Sequence, residues 1–279
     1  MFIPKCAIVT KGFETAPISE RHDAMENLKG KTAIITGASR GIGAATARYF
    51  AQNGANVVLA ARSADKIETL AEDLRKEGHA ARAIPCDVAD PDAVKALIED
   101  AKDAFGSVDV LVNNAGIIDP ISRIEDSDPS AWGKALDVNV KGVYHGLRYA
   151  IPVMKAQGGG TIINISSGAA HSTLEGWSHY AASKAAVLRL TGVANTENAA
   201  DGIRVIGISP GTVATDMIRY ITATGVNAVS KLPESAHIPA DWVAKAIAVL
   251  CGPVGDDFLG TDFTLKTDEG RKLAGLPPL

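Results

Sequence analysis

Tyr180 and Lys184 stand four residues apart in Ser178-His179-Tyr180-Ala181-Ala182-Ser183-Lys184, a spacing that puts both side chains on one face of an α-helix. A phenol with an ordinary pKa near 10 exchanges protons poorly at neutral pH, but a neighbouring ammonium stabilises the phenolate and lowers that value. The pair suits giving a proton to, or taking one from, an oxygen of a bound molecule. A bare Tyr-x-x-x-Lys also describes an amphipathic helix with a snorkelling lysine, so its meaning depends on its surroundings. Upstream, Ser166 and Ser167 close the apolar run Ile162-Ile163-Asn164-Ile165. Only one of two adjacent hydroxyls at a strand end faces a given side, so the residues alone leave the choice between the serines open.

Near the amino terminus, Gly37-Ala38-Ser39-Arg40-Gly41-Ile42-Gly43 follows the apolar run 32–36 and precedes the helical pattern 44–52. Gly37 suits a tight turn, Gly41 lets backbone approach a pyrophosphate, and Gly43 lets helix pack closely on strand, with the anion at the positive helix end. The strand-to-helix context gives these glycines their meaning as a dinucleotide turn. NAD sites commonly supply a carboxylate about 20 residues further on, at the end of the second strand. Here that strand reads Val57-Val58-Leu59-Ala60-Ala61-Arg62 and ends on a cation. With Ser39 and Arg40 in the turn, Arg62 predicts a pocket for a 2′-phosphate, hence NADP(H).

Positioning these groups requires strands that deliver loops to one edge. Apolar runs at 32–36, 56–61, 80–85, 109–113, 161–166, 203–209 and 263–267 alternate with helical patterns, the signature of parallel βαβ units. The stretch 65–77 carries Ile67, Leu70, Ala71 and Leu74 at helical spacing, and Asp90-Pro91 reads as a helix start. Continuous apolar strands imply burial on both faces, so we expect one doubly wound, Rossmann-type sheet of seven parallel strands with helices on both sides. The segment 215–238, broken by Thr222, Gly225, Asn227 and Pro233, reads as a long irregular lid or binding loop.

Of 279 residues, 46% are hydrophobic and 22% charged, which excludes disordered, collagenous and coiled-coil classes. A net charge of −4 argues against nucleic acid as a partner. Cys6, Cys86 and Cys251 offer neither a disulfide framework nor a C-x-x-C site, in keeping with a reducing, cytoplasmic compartment. The six histidines show no ligand spacing, so no metal is implied, and His179 reads as a surface histidine beside Tyr180. No apolar run is long enough for a membrane span. Residues 1–29, without clear periodicity and mixed in charge, read as an amino-terminal extension, a flexible or partner-packing arm, followed by a dinucleotide-binding catalytic domain over 30–279.

The ordered set of motifs resembles the compact short-chain dehydrogenase/reductase family across nearly all of 31–270. The landmarks are the glycine turn, Asp87-Val88, Asn113-Asn114-Ala115-Gly116, Val138-Asn139-Val140, Ile165-Ser166-Ser167, Tyr180-Ala181-Ala182-Ser183-Lys184 and Pro210-Gly211-Thr212-Val213-Ala214-Thr215. The resemblance implies a catalytic set of Ser167, Tyr180, Lys184 and Asn139. Family spacing selects Ser167 over Ser166, and Asn139 would help keep a water beside the lysine. Tyr180 and Lys184 would also touch the cofactor, whose site would include Gly37, Ser39, Arg40, Gly41, Ile42, Gly43, Arg62, Asp87, Val88, Asn113, Ala115, Gly116, Pro210, Gly211, Val213 and Thr215. A homo-oligomer, dimer or tetramer, is likewise implied. Where the family often closes with Asp-Gly-Gly, this chain reads Thr267-Asp268-Glu269-Gly270, which departs from the pattern.

The segments that vary between members offer Ile117, Ile118, Leu174, Trp177, Met217, Ile218 and Tyr220, an apolar lining without a cluster of cations. That implies reversible hydride transfer with a small-molecule hydrophobic ketone, diketone or its alcohol, and the stretch 167–180 is locally similar to sepiapterin and benzil reductases. The alternatives are an NAD-dependent alcohol dehydrogenase, a 3-oxoacyl thioester reductase, and a non-catalytic NADP(H) sensor.

Overall fold

The chain is described by a computed structural model over residues 24–279. Seven strands, β1 (Thr32–Thr36), β2 (Asn56–Ala61), β3 (Ala81–Pro85), β4 (Val110–Asn113), β5 (Gly160–Ile165), β6 (Ile203–Ser209) and β7 (Asp262–Thr264), form one sheet in the order β3-β2-β1-β4-β5-β6-β7. Every neighbouring pair is parallel. The helices are α1 (Ala24–Leu28), α2 (Gly41–Gln52), α3 (Ala64–Lys76), α4 (Pro91–Phe105), α5 (Pro129–Leu136), α6 (Gly142–Ala156), α7 (Ser178–Asn198), α8 (Asp216–Thr224), α9 (Ala240–Leu250) and α10 (Asp268–Leu273).

The inner strands β1, β2, β4, β5 and β6 are buried on both faces because successive residues feed two separate cores. Ala33, Ile35, Val57 and Leu59 pack with Phe50 of α2, Leu70 of α3 and Ile247 of α9. Ile34, Val58, Ala60 and Leu111 pack with Leu97 of α4, Leu147 of α6 and Val187 of α7. This is the doubly wound sheet that the alternating pattern implies. The strand order reverses at β1, between β2 and β4, which opens a crevice beyond the carboxyl ends of β1 and β4.

β1, β2 and β6 have the bounds read from the sequence, whereas β3 and β4 start one residue later. β5 runs over Gly160–Ile165, leaving Ser166 just past its end, and β7 stops at Thr264. The Asp90 carboxylate accepts from the Asp92 amide and caps α4, with Pro91 in the first turn. The segment expected to be irregular is instead built around α8, followed by two short 3₁₀ turns at Val229–Lys231 and Glu234–Ala236. Ile218 and Ile221 are buried at helical spacing, and Gly225, with φ 64°, ends the helix in the left-handed region. The start of the body also differs, since α1 falls inside the expected extension and its Leu28 is fully buried in the α2–α9 core. The rest of that extension, residues 1–23, lies outside the described residues.

Candidate active site

At the carboxyl ends of the strands lies a cavity of about 550 Å³. It is lined by Gly37, Ser39, Arg40, Gly41, Ile42, Arg62, Asp87, Val88, Ala115, Gly116, Ser167, Tyr180, Lys184, Pro210, Gly211, Val213 and Thr215, all singled out by the sequence. Gly43, Asn113 and Asn139 are not on its wall.

The turn between β1 and α2 shows why glycines are needed. Gly37 has φ +66°, and a Cβ there would come within 2.8 Å of the Ala115 Cα; a Cβ on Gly43 would meet the Gly37 carbonyl at 2.5 Å. Arg40 precedes α2 without a side-chain cap, so the first-turn amides of α2 stay available to an anion. Asn114 locks the turn to the end of β4, donating through Nδ2 to the Thr36 carbonyl at 2.8 Å. Its own amide and that of Ala115 donate to the Thr36 hydroxyl at 3.0 and 3.1 Å. This cradle of bare backbone, open on one side to the cavity, fits the diphosphate of a dinucleotide.

Asn113, expected in the cofactor groove, is buried within the sheet and donates to Asn164 Oδ1 at 2.9 Å. It is placed behind the groove because the pleat turns it toward β5 and Gly146 of α6, where a Cβ would stand 2.4 Å from its oxygen. Arg40 pairs with Asp216 of α8 at 3.3 Å, so its guanidinium reaches across the cavity mouth. Lys66, in the first turn of α3, joins Arg62 on the wall at the end of β2.

At the opposite end, Lys184 Nζ lies 5.6 Å from the centre of the Tyr180 ring and donates to the Ile165 carbonyl at 2.7 Å. Burial pulls the Lys184 ammonium down to about 8, against the opposing pull of the Asp262 carboxylate. Burial also raises the Tyr180 phenol, and a hydrogen bond with Ser167 offsets part of that rise. This reverses the lowering expected from the lysine, because the ammonium sits over the ring while desolvation acts on the hydroxyl. Ser167 is therefore the serine that meets Tyr180; Ser166 is buried and donates to Asp262 Oδ2 at 2.6 Å.

Asn139 sits in a single π turn, Asp137–Lys141, between α5 and α6, an irregularity that rotates it toward the site. Its oxygen accepts from the Ile117 amide at 2.8 Å and its nitrogen donates to the Ile117 carbonyl at 2.9 Å and the Ser183 hydroxyl at 3.2 Å. The side chain thus braces the loop after β4 against α7. His179 is 1% exposed rather than on the surface, and its Nε2 meets the Ile118 carbonyl at 2.7 Å. Burial lowers its pKa, as befits a neutral ring fixed inside the fold.

Leu174, Trp177, Met217 and Ile218 form an apolar wall near Tyr180, and Ile221 and Val229 extend it. Trp177 meets Tyr180 edge to face at 5.5 Å. Of the expected lining, Ile118 lies behind this wall in the same apolar cluster, and Tyr220 is exposed and bonded to Asp119. Sequence reasoning missed Lys66, Asn114, Asp262 and Lys266. Asp262 opens β7, and Lys266 lies just past its carboxyl end, the edge where ligands of such sheets bind, which was the available signal for the lysine. Among the described residues, no group of three His, Cys, Asp or Glu side chains is placed to hold a metal.

Residues 31–225 match the short chain dehydrogenase family. The chain is 37% identical over 236 residues to cis-4-hydroxycyclohexanecarboxylate dehydrogenase of Sinomonas cyclohexanicum, covering 82% of this chain and 92% of that relative. It superposes on the crystal structure of a short-chain type dehydrogenase/reductase from Mycobacterium marinum with TM-score 0.80 and 32% identity, covering 89% of this chain and 97% of the other. NAD+-bound xylitol dehydrogenase superposes with TM-score 0.79 and 27% identity, over 85% of this chain and 98% of that one. The order of the sheet, the glycine turn and these likenesses agree: the chain belongs to the short-chain dehydrogenase/reductase family, oxidoreductases that use a nicotinamide cofactor.

Proposed function

We propose that the protein is an NADP(H)-dependent carbonyl reductase, acting reversibly on a hydrophobic ketone or diketone and its alcohol. The observation that carries the cofactor choice is the end of β2. Arg62 and Lys66 line the cavity there, β2 runs into Arg62 rather than into a carboxylate, and neither cation has an ion-pair partner among the described residues. Two free cations suit a 2′-phosphate dianion, whereas a ribose hydroxyl would leave them unused. The glycine turn and the first-turn amides of α2 would hold the diphosphate, and Val213 and Thr215 the nicotinamide end. Bound NADPH supplies a hydride.

Each of the chain's own groups then has a separate task. Ser167 holds the substrate oxygen beside Tyr180, and the phenol gives that oxygen its proton. Lys184, anchored by the Ile165 carbonyl, offsets the phenolate charge, while Asn139 keeps the loop after β4 against α7. The wall of Leu174, Trp177, Met217 and Ile218 excludes water and selects an apolar body. In the oxidative direction the same groups act in reverse order.

The test is oxidation of NADPH and of NADH by the purified protein against ketones, diketones, aldehydes and an acetoacetyl thioester. A kcat/KM at least tenfold higher with NADPH supports the reading. A preference for NADH would favour the second reading, an NAD-dependent alcohol dehydrogenase, which the likeness to NAD+-bound xylitol dehydrogenase supports. Turnover of the thioester alone would favour a 3-oxoacyl reductase. Tight NADPH binding without any turnover would favour a sensor.

The domain over 30–279 works in this reading as a cytoplasmic homo-oligomer. Among the described residues no helix is long and apolar enough to cross a membrane. Tyr144 on α6 and Val193 on α7 are 49% and 53% exposed on one shallow groove, which suits a subunit contact. Light scattering of the wild type and of Val193→Asp checks it, with a loss of mass expected for the variant.

A further inference from the structure

The far side of the cavity from Arg62 and Lys66 carries a third free cation. Lys266 follows β7 by two residues, and its stem lies along the backbone after β6, with Cγ 3.2 Å from where a Cβ on Gly211 would stand. Its Nζ lies 3.3 Å from where a Cβ on Gly168 would stand. Since Gly168 follows Ser167 directly, covalent geometry keeps this ammonium within about 9 Å of the Ser167 Cα. Lys266 lines the same cavity as Ser167, Tyr180 and Trp177, and no carboxylate pairs with it among the described residues. The other polar side chains on this part of the wall are committed within the protein: Ser172 donates to the Gly168 carbonyl at 2.9 Å, Thr212 donates to the Ala236 carbonyl at 3.1 Å, and Asp216 pairs with Arg40 and Arg219.

An unpaired ammonium beside a catalytic serine, at the edge of an apolar pocket, is a directional anchor for an anion. We propose that Lys266 is a specificity-determining residue that binds a substrate carboxylate, so that the preferred substrates are oxo acids and their hydroxy acids. In such molecules an apolar body joins the reacting carbon to a carboxylate a few bonds away. The apolar wall takes the body, Ser167 and Tyr180 the carbonyl oxygen, and Lys266 the carboxylate. A carboxylate held there fixes which carbon faces the cofactor, and an ammonium–carboxylate bond in a partly dry site is stronger than one in open water. This rests on the carbonyl reductase reading and narrows its substrate.

The test compares matched pairs that differ only in charge: levulinate against methyl levulinate, and 4-oxocyclohexanecarboxylate against its methyl ester. The wild type is expected to favour each acid over its ester at least tenfold in kcat/KM. Lys266→Met should raise KM for the acids about tenfold, leave kcat/KM for the esters within about twofold, and so abolish the preference. Lys266→Arg should retain most of it. Because Lys266 is exposed, ester turnover in each variant also reports that the fold is intact. Equal turnover of acid and ester by the wild type, or an equal effect of Lys266→Met on both, would overturn the assignment while leaving the reductase reading in place. No turnover of either acid or ester, or of any neutral ketone, would overturn both.

Discussion

Lys184 and Lys66 line one cavity, yet Lys184 is 5% exposed and Lys66 stands at the open rim of α3. The buried lysine is held by the Ile165 carbonyl and has its ammonium destabilised; the rim lysine is exposed and has no ion-pair partner among the described residues. In the proposed reading, charge at the buried end acts over a short range in a medium that screens it poorly, so one residue changes the chemistry. In the same reading, charge at the Arg62 and Lys66 end acts through water and salt, so it selects a ligand without altering the reaction.

Three perturbations would separate the ends. Replacing Lys184 by Met should lower kcat by about 100-fold or more, while the dissociation constant of NADPH, read by fluorescence, changes far less. The same variant reports on pH. The folded-state Lys184 value, about 8 against an ordinary 10.5, means the fold binds fewer protons than the unfolded chain between those limits. Wild-type stability should therefore gain from this group as pH rises from 8 to 10.5, by up to about 3 kcal/mol. Urea unfolding at pH 7, 8, 9 and 10 should show that gain in the wild type and lack it in Lys184→Met. An unchanged pH slope would mean that Lys184 is not the buried cation described.

At the other end, Arg62→Ala with Lys66→Ala should raise KM for NADPH about 10- to 100-fold and leave KM for NADH within about threefold. The wild-type preference should also shrink between 50 and 500 mM salt, as exposed ion pairs do. The smallest effect is expected at Arg40, whose pair with Asp216 is exposed on both sides. Arg40→Ala should change the free energy of urea unfolding by less than about 1 kcal/mol. A loss of NADPH selectivity as large as that of the Arg62/Lys66 variant would move the phosphate site toward the glycine turn.

How far the sequence could be read follows the same division. β1, β2 and β6 were legible because each is a short apolar run closed by a turn residue and buried on both faces. Tyr180, Lys184 and the glycine turn were legible because their spacing is local, within one helix or one loop. α8 was not, since Thr222 and Gly225 mask the buried pair Ile218 and Ile221, and the helix is held by packing against Trp177 and Ala169 rather than by its own propensity. Asn113 and His179 were misplaced for the same reason: their partners, Asn164 and the Ile118 carbonyl, are 51 and 61 residues away in the chain. Asp262 and Lys266 belong to the site only because β7 closes the sheet beside β6, which no local pattern announces.

Tyr180→Phe tests the central claim most directly, because it removes one hydroxyl from the buried end and touches nothing at the rim. With a ketone that the wild type reduces, kcat should fall by 100- to 10,000-fold, with NADPH affinity and thermal stability close to wild type. Retention of more than about a tenth of wild-type kcat by a folded, NADPH-binding Tyr180→Phe protein would contradict the assignment of Tyr180 as the proton donor.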